Sequence, residues 1–121
     1  EIVRATIEAV AYQTFDLFEA MKHDGLRPKI VKVDGGMVMN NWFSQFLSDI
    51  VNVKVLRPKV QETTALGAAF MAGLQIGVYK SLKDISKNWH LDKKFSPKMK
   101  NKSRSTLIKG WEKAVKRALI N

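Results

Sequence analysis

The first 79 residues alternate between two hydrophobic patterns, and this alternation restricts the fold more than any other feature of the sequence. Stretches with apolar residues at helical spacing are separated by short apolar runs, which glycine or proline bounds. Helices that alternate with strands at this spacing form βαβ units with parallel strands, so we predict an α/β fold. The predicted helices cover residues 1–23, 38–51 and 63–76, and the predicted strands cover 29–33 and 53–58.

The predicted sheet is too small to be stable alone. Two short strands do not form an independent sheet, and the first helix precedes any strand although apolar residues cover much of its circumference. We therefore expect this helix to be mostly buried, and the chain to be part of a longer protein that supplies further strands. An incomplete sheet exposes an edge and apolar surface, so we also expect a homo-oligomer.

The distribution of charge divides the chain near residue 79. The net charge is +10, and all of this excess lies in residues 80–121, because basic and acidic side chains are equal in number before them. We therefore predict a core at 1–79 and a basic C-terminal extension at 80–121. Within the extension we predict a short helix in "SLKDISKNW", a loop with one extended piece, and a final amphipathic helix at 106–120.

The basic extension has two interpretations. Aromatic residues between lysines, such as Trp89, Phe95 and Trp111, are typical of surfaces that bind nucleic acid. However, Trp111 falls on the apolar stripe of the final helix, so a solvated lysine face is the interpretation that we favour. The members of that stripe are Leu107, Ile108, Trp111, Val115 and Leu119.

Several classes of protein are excluded or disfavoured. The chain has no cysteine, which excludes a disulfide framework or a thiolate metal site and fits a cytoplasmic location. The first residues lack the pattern of a signal peptide, and no apolar run approaches the ~18 residues of a membrane span. His23 and His90 have no other ligand at a metal-binding spacing, so we expect no metal site.

The stretch "VDGGMVMNN", residues 33–41, is the strongest candidate for a binding site. Gly35 and Gly36 lie between a strand and a helix start, where bare backbone and free N–H groups accept ligands. Asn40 would present its amide to a base or a ribose, and Asp34 is expected to bond nearby N–H groups as a turn residue. A tight turn without any ligand is the alternative. The spacing fits neither a Rossmann fingerprint nor a P-loop.

The third predicted helix, within "TTALGAAFMAG", is rich in small residues. Gly67 and Gly73 each cost a helix about 1 kcal/mol relative to alanine, so we expect close packing to compensate, with a direct ligand contact as the alternative. We expect Thr63 or Thr64 to cap this helix.

Four blocks of the sequence together resemble a known family. They are "EIVRATIEAVAYQTFDLFEAM", "VDGGMVMNNWFSQFLSDI", "VKVLRPKVQETTALGAAFMAGL" and "GWEKAVKRAL". In this order they are similar to the C-terminal part of the FGGY carbohydrate kinases, and to the glycerol kinases among them more than to the pentulose kinases. The resemblance implies the C-terminal part of an actin-like ATPase (ribonuclease H-like) domain with an incomplete sheet.

The resemblance also implies a function for the stretch at residues 33–41, which we call the corner. The whole enzyme would transfer the γ-phosphoryl group of ATP, with Mg²⁺, to glycerol and give glycerol 3-phosphate. Gly36 matches the glycine that lines the phosphates and ribose, Asn40 matches the asparagine near the adenine, and Gly35 shapes the turn. The catalytic base and the glycerol site would lie outside this chain, so we assign no catalytic residue and expect the chain alone to be inactive. The alternatives are another FGGY sugar or polyol kinase and a basic nucleic-acid-binding module.

Overall fold

The computed structural model describes residues 1–120 of the chain. The predicted elements are present in these residues, although the final helix begins at residue 101 rather than 106. In chain order the elements are α1 (Ile2–His23), β1 (Ile30–Lys32), a 3-10 helix (Gly36–Met39), α2 (Asn41–Val51), β2 (Lys54–Pro58), α3 (Thr63–Gln75), α4 (Leu82–Ser86), β3 (Leu91–Phe95) and α5 (Asn101–Leu119).

The three strands form one mixed sheet in the order β1-β2-β3. β1 and β2 are parallel, with Val31 opposite Val55, as the alternation predicts. β3 is the extended piece expected in the basic segment, and it pairs antiparallel to β2, with Phe95 opposite Val55. A strand from residues 80–121 therefore extends the sheet, while the division of the chain at residue 79 stays a prediction.

Helix α2 provides more of the hydrophobic core than any other element, with five of its eleven buried apolar residues. Its buried apolar residues recur at the spacing of one helix face, which explains why this segment folds as a helix on a sheet. These residues are Phe43, Phe46, Leu47, Ile50 and Val51. They form one cluster with buried residues of α1, β2 and β3, and α2 contacts all three of these elements. Each large apolar side chain buried in this way stabilises the fold by about 1.5–3 kcal/mol.

Helix α1 is buried along one face only, so the expectation of a mostly buried helix was wrong for residues 1–120. Ala11, Tyr12 and Phe18 are its buried members, whereas Ile2 and Val3 are 85% and 74% exposed. The reason is that its two partner helices reach the same face, since Tyr12 contacts both Phe46 of α2 and Trp111 of α5. Burial raises the pKa of the Tyr12 phenol, and the nearby charge of Glu8 raises it further.

Helix α5 is anchored to α1 through an aromatic contact. The ring of Trp111 stacks on that of Tyr12 at 5.4 Å between centroids, and its indole N–H donates to the Asp16 carboxylate at 2.8 Å. The predicted stripe is half-buried as far as Val115, but Leu119 is 78% exposed because no described element covers the end of the helix. None of the helices in residues 1–120 is both long and apolar enough to cross a membrane.

The two glycines of α3 differ in their surroundings. A Cβ atom on Gly73 would lie 2.9 Å from two carbons of the Tyr79 ring, so close packing explains this glycine as expected. A Cβ atom on Gly67 would meet nothing within 4 Å. Among the described residues, no close packing is therefore found that would compensate for the cost of Gly67 to the helix.

We predict that alanine has opposite effects at these two positions. Gly67→Ala is expected to raise the free energy of unfolding by up to about 1 kcal/mol, because alanine favours the helix and fits the open space. Gly73→Ala is expected to lower the free energy of unfolding, because the methyl group displaces the Tyr79 ring. Urea denaturation followed by circular dichroism measures both changes, and shifts of the same sign would contradict this interpretation of the packing.

Candidate functional site

The corner after β1 is fixed by one glycine and by backbone hydrogen bonds. Gly35 has φ of 85° and ψ of 171°, a conformation that is essentially restricted to glycine. Its N–H donates to the carbonyl of Gln61 at 3.3 Å, and the N–H of Val33 donates to the carbonyl of Leu56 at 3.0 Å. The chain therefore leaves the strand in a defined direction and enters the 3-10 helix at Gly36.

The second glycine of the corner, Gly36, is not explained by its conformation or by its packing against described residues. Its φ does not lie in the left-handed region, and a Cβ atom added to it would meet nothing within 4 Å. Neither the backbone conformation nor packing among residues 1–120 therefore requires a residue without a side chain at this position. What glycine provides at this position is uncovered backbone at the C-terminal end of a strand, where ligands bind in open α/β sheets.

Asn40 has one half of its side-chain amide engaged and the other half free. It caps α2, and its Oδ1 accepts hydrogen bonds from the N–H groups of Trp42 at 3.0 Å and Phe43 at 3.3 Å. The Nδ2 group has no hydrogen-bond partner among the described residues, and the residue is exposed. Asn40 therefore offers a ligand the two N–H donors of the amide that the sequence predicted it would present.

Asp34 connects the corner to the start of α3. Its carboxylate accepts a hydrogen bond from the hydroxyl of Thr63, so it bonds a side chain instead of the nearby N–H groups that we expected. The expected threonine cap of α3 was wrong, because the N-cap residue is Glu62 and makes no side-chain cap bond. The Thr63 hydroxyl points to Asp34 instead.

Arg57 is the residue at this site that the sequence analysis missed. It is 6% exposed, and its Nη1 donates to the carbonyls of Val38 at 2.7 Å and Met39 at 3.2 Å. Its Nε donates to the Asp92 carboxylate at 2.7 Å. The signal was available in the strand pattern, because residue 57 shares a face with the core residue Val55 and had to be buried.

A cavity of about 250 Å³ lies next to the corner, on the side of α3 and α4. Lys32 and Pro58, the last residues of the two parallel strands, form part of its wall, and the Lys32 ammonium lies 4.1 Å from the centre of the Trp89 ring. Gly36 and Asn40 do not line this cavity. The candidate binding residues therefore form an open surface rather than part of the enclosed space.

No group of three His, Asp or Glu side chains comes together in residues 1–120 in a way that could hold a metal ion. Gly35, Gly36 and Asn40 do lie together, within one turn of backbone between β1 and α2. Chemically, this arrangement presents uncovered backbone and N–H donors, which suit an acceptor-rich ligand such as a nucleotide.

Comparison with known proteins identifies the family. The model of the C-terminal domain of the FGGY family of carbohydrate kinases matches residues 1–76. The chain is 54% identical over 117 residues to glycerol kinase 1 of Pseudomonas aeruginosa and 55% identical over 119 residues to the glycerol kinase of Thermoanaerobacter pseudethanolicus. These alignments cover 97% and 98% of this chain but only 24% of each relative.

Solved structures agree with the fold. The crystal structure of Plasmodium falciparum glycerol kinase with ADP superposes with a TM-score of 0.81 at 39% identity, covering 99% of this chain and 24% of that one. A xylulose kinase from Lactobacillus acidophilus gives a TM-score of 0.75 at 24% identity, covering 98% of this chain and 24% of its own, and supports the fold alone. The fold is thus that of the C-terminal part of an actin-like ATPase domain. The chain belongs to the FGGY family of carbohydrate kinases, and it spans about a quarter of the length of these relatives.

We predict that the two glycines of the corner contribute differently to stability. Gly35→Ala is expected to lower the free energy of unfolding by about 1–3 kcal/mol, because alanine is strained at this φ and ψ. Gly36→Ala is expected to change it by less than about 0.5 kcal/mol, since the new methyl group meets open space. Urea denaturation followed by tryptophan fluorescence compares the two variants, and equal losses would refute the distinction.

Proposed function

We propose that this chain supplies the nucleotide side of a glycerol kinase, which phosphorylates glycerol with ATP to give glycerol 3-phosphate. The observation that carries the proposal is the 51–55% identity to glycerol kinases over nearly the whole chain. The solved glycerol kinase of Plasmodium falciparum, at 39% identity over 99% of this chain, points to the same acceptor. Glycerol is therefore favoured over a sugar or another polyol as the acceptor.

In this proposal the corner between β1 and α2 contacts the nucleotide. The uncovered backbone at Gly36 lies against the phosphates and ribose, and the free amide N–H groups of Asn40 donate to the adenine side. The ADP in the Plasmodium relative supports a nucleotide as the ligand. Gly35 contributes by fixing the direction of the backbone.

The proposal gives this chain a binding role and no catalytic group. Phosphoryl transfer depends on positioning and on charge stabilisation around the transferred group, and a base that activates glycerol is not among the residues assigned here. In this proposal the Mg²⁺ enters with ATP. The cytoplasmic location and the homo-oligomer belong to the same proposal.

A hybrid kinase tests the proposed function. In it, this chain replaces the matching 117 residues of the Pseudomonas aeruginosa relative. We expect the hybrid to phosphorylate glycerol with ATP in a coupled assay and to prefer glycerol to xylulose. The 121-residue chain alone and the relative lacking this segment serve as controls, and both are expected to be inactive. Turnover by the chain alone, or a folded hybrid without activity, would refute the proposal.

Within the hybrid, Gly36→Val tests the placement of the nucleotide. The added side chain would occupy the open space above the backbone, so we expect the KM for ATP to rise much more than the KM for glycerol. Gly110→Val is the matched control, because Gly110 also faces open space but lies in α5, away from the corner. An unchanged KM for ATP would remove Gly36 from the nucleotide site.

A further inference from the structure

We infer that Arg57 is a positioning residue for the nucleotide, acting through the backbone of the corner. This inference rests on the proposed function, because it concerns the same site. Arg57 is too buried to contact a ligand at the surface, at 6% exposure. Its guanidinium instead holds the end of the 3-10 helix, directly between Gly36 and Asn40, the two residues assigned to the nucleotide.

The contacts of Arg57 are specific to a guanidinium. One nitrogen, Nη1, bonds two consecutive carbonyls, those of Val38 and Met39, at 2.7 and 3.2 Å. The Val38 carbonyl also accepts a hydrogen bond from the buried hydroxyl of Ser44 at 2.8 Å, so it is held from both β2 and α2. Met39 directly precedes Asn40. These bonds therefore fix the position of the backbone that carries the Asn40 side chain.

The other side of the guanidinium connects the corner to β3. Nε donates to Asp92 at 2.7 Å, and the Asp92 side chain is 40% exposed. A buried positive charge is costly unless it is paired, so Asp92 allows Arg57 to remain buried under the corner. The guanidinium carbon also lies 5.5 Å from the centre of the Phe95 ring. A lysine has a single nitrogen and cannot make the carbonyl bonds and the Asp92 bond in the same fork geometry.

Moving the corner by a fraction of an ångström is expected to affect the nucleotide and not the acceptor. The residues that Arg57 fixes are those assigned to ATP, and none is assigned to glycerol. Poor positioning of a bound substrate reduces function strongly even when the displaced group is distant from the chemistry. A residue important only for folding would instead lower stability and leave the kinetics of the folded fraction unchanged.

The test uses the hybrid kinase with Arg57→Lys and Asp92→Asn, and with Arg104→Lys in α5 as a matched control. We expect Arg57→Lys to raise the KM for ATP by about tenfold or more, with the KM for glycerol changed by less than about twofold. Asp92→Asn is expected to give a smaller rise in the same direction, because the bonds from Nη1 to the two carbonyls remain. Hydrogen exchange at residues 36–43 is expected to be faster in both variants than in Arg104→Lys.

The outcomes separate this inference from the proposed function. An unmutated hybrid that folds but does not phosphorylate glycerol refutes the proposed function. An active unmutated hybrid whose Arg57→Lys variant keeps its KM for ATP overturns the positioning role alone, even if that variant is less stable. If Arg57→Lys does not fold, the Asp92→Asn variant tests the inference, because Asp92 is partly exposed and tolerates substitution better. An unchanged KM for ATP in Asp92→Asn then overturns the positioning role.

Discussion

The guanidinium of Arg57 joins three segments that are far apart in sequence: the 3-10 helix at 36–39, strand β2 and strand β3. A second buried polar group, the carboxylate of Asp49 in α2, acts in the same way. The Asp49 carboxylate accepts hydrogen bonds from the N–H groups of Lys98 at 2.5 Å and Met99 at 3.0 Å. Both groups bind elements before residue 79 to elements after it. The basic segment at residues 80–120 is therefore packed into the same core as the corner.

Much of the fold follows from hydrophobic periodicity, but elements with few apolar contacts do not. Helix α2 has five buried apolar residues on one face, and its position was predicted closely. The sequence of β3, "LDKKF", has four exposed residues and buries only Phe95, so periodicity could not distinguish it from a loop. The first turn of α5 is entirely polar, which explains why the prediction started the helix too late.

The candidate site was predicted as a set of residues but not as an arrangement. The sequence does not distinguish the two neighbouring glycines. Only the structure shows that Gly35 is needed for its backbone angles, whereas Gly36 leaves the backbone uncovered. Asn40 likewise has two tasks that the sequence does not separate. Because its oxygen is bound to the start of α2, its N–H groups are directed away from the helix before any ligand arrives. Arg57 was missed because a charged residue in a strand was not expected to be buried.

The sheet order has a consequence for how the protein is made. β3 and the Asp92 carboxylate come after the rest of the corner in the chain, and the partner atoms of Arg57 are separated from it by 19 and 35 residues. Contacts between residues so far apart form late, because the intervening loop must close first. During synthesis, the turn that carries Gly36 leaves the ribosome well before the strand that balances the charge beneath it. The corner therefore acquires its final shape only after β3 has been synthesised.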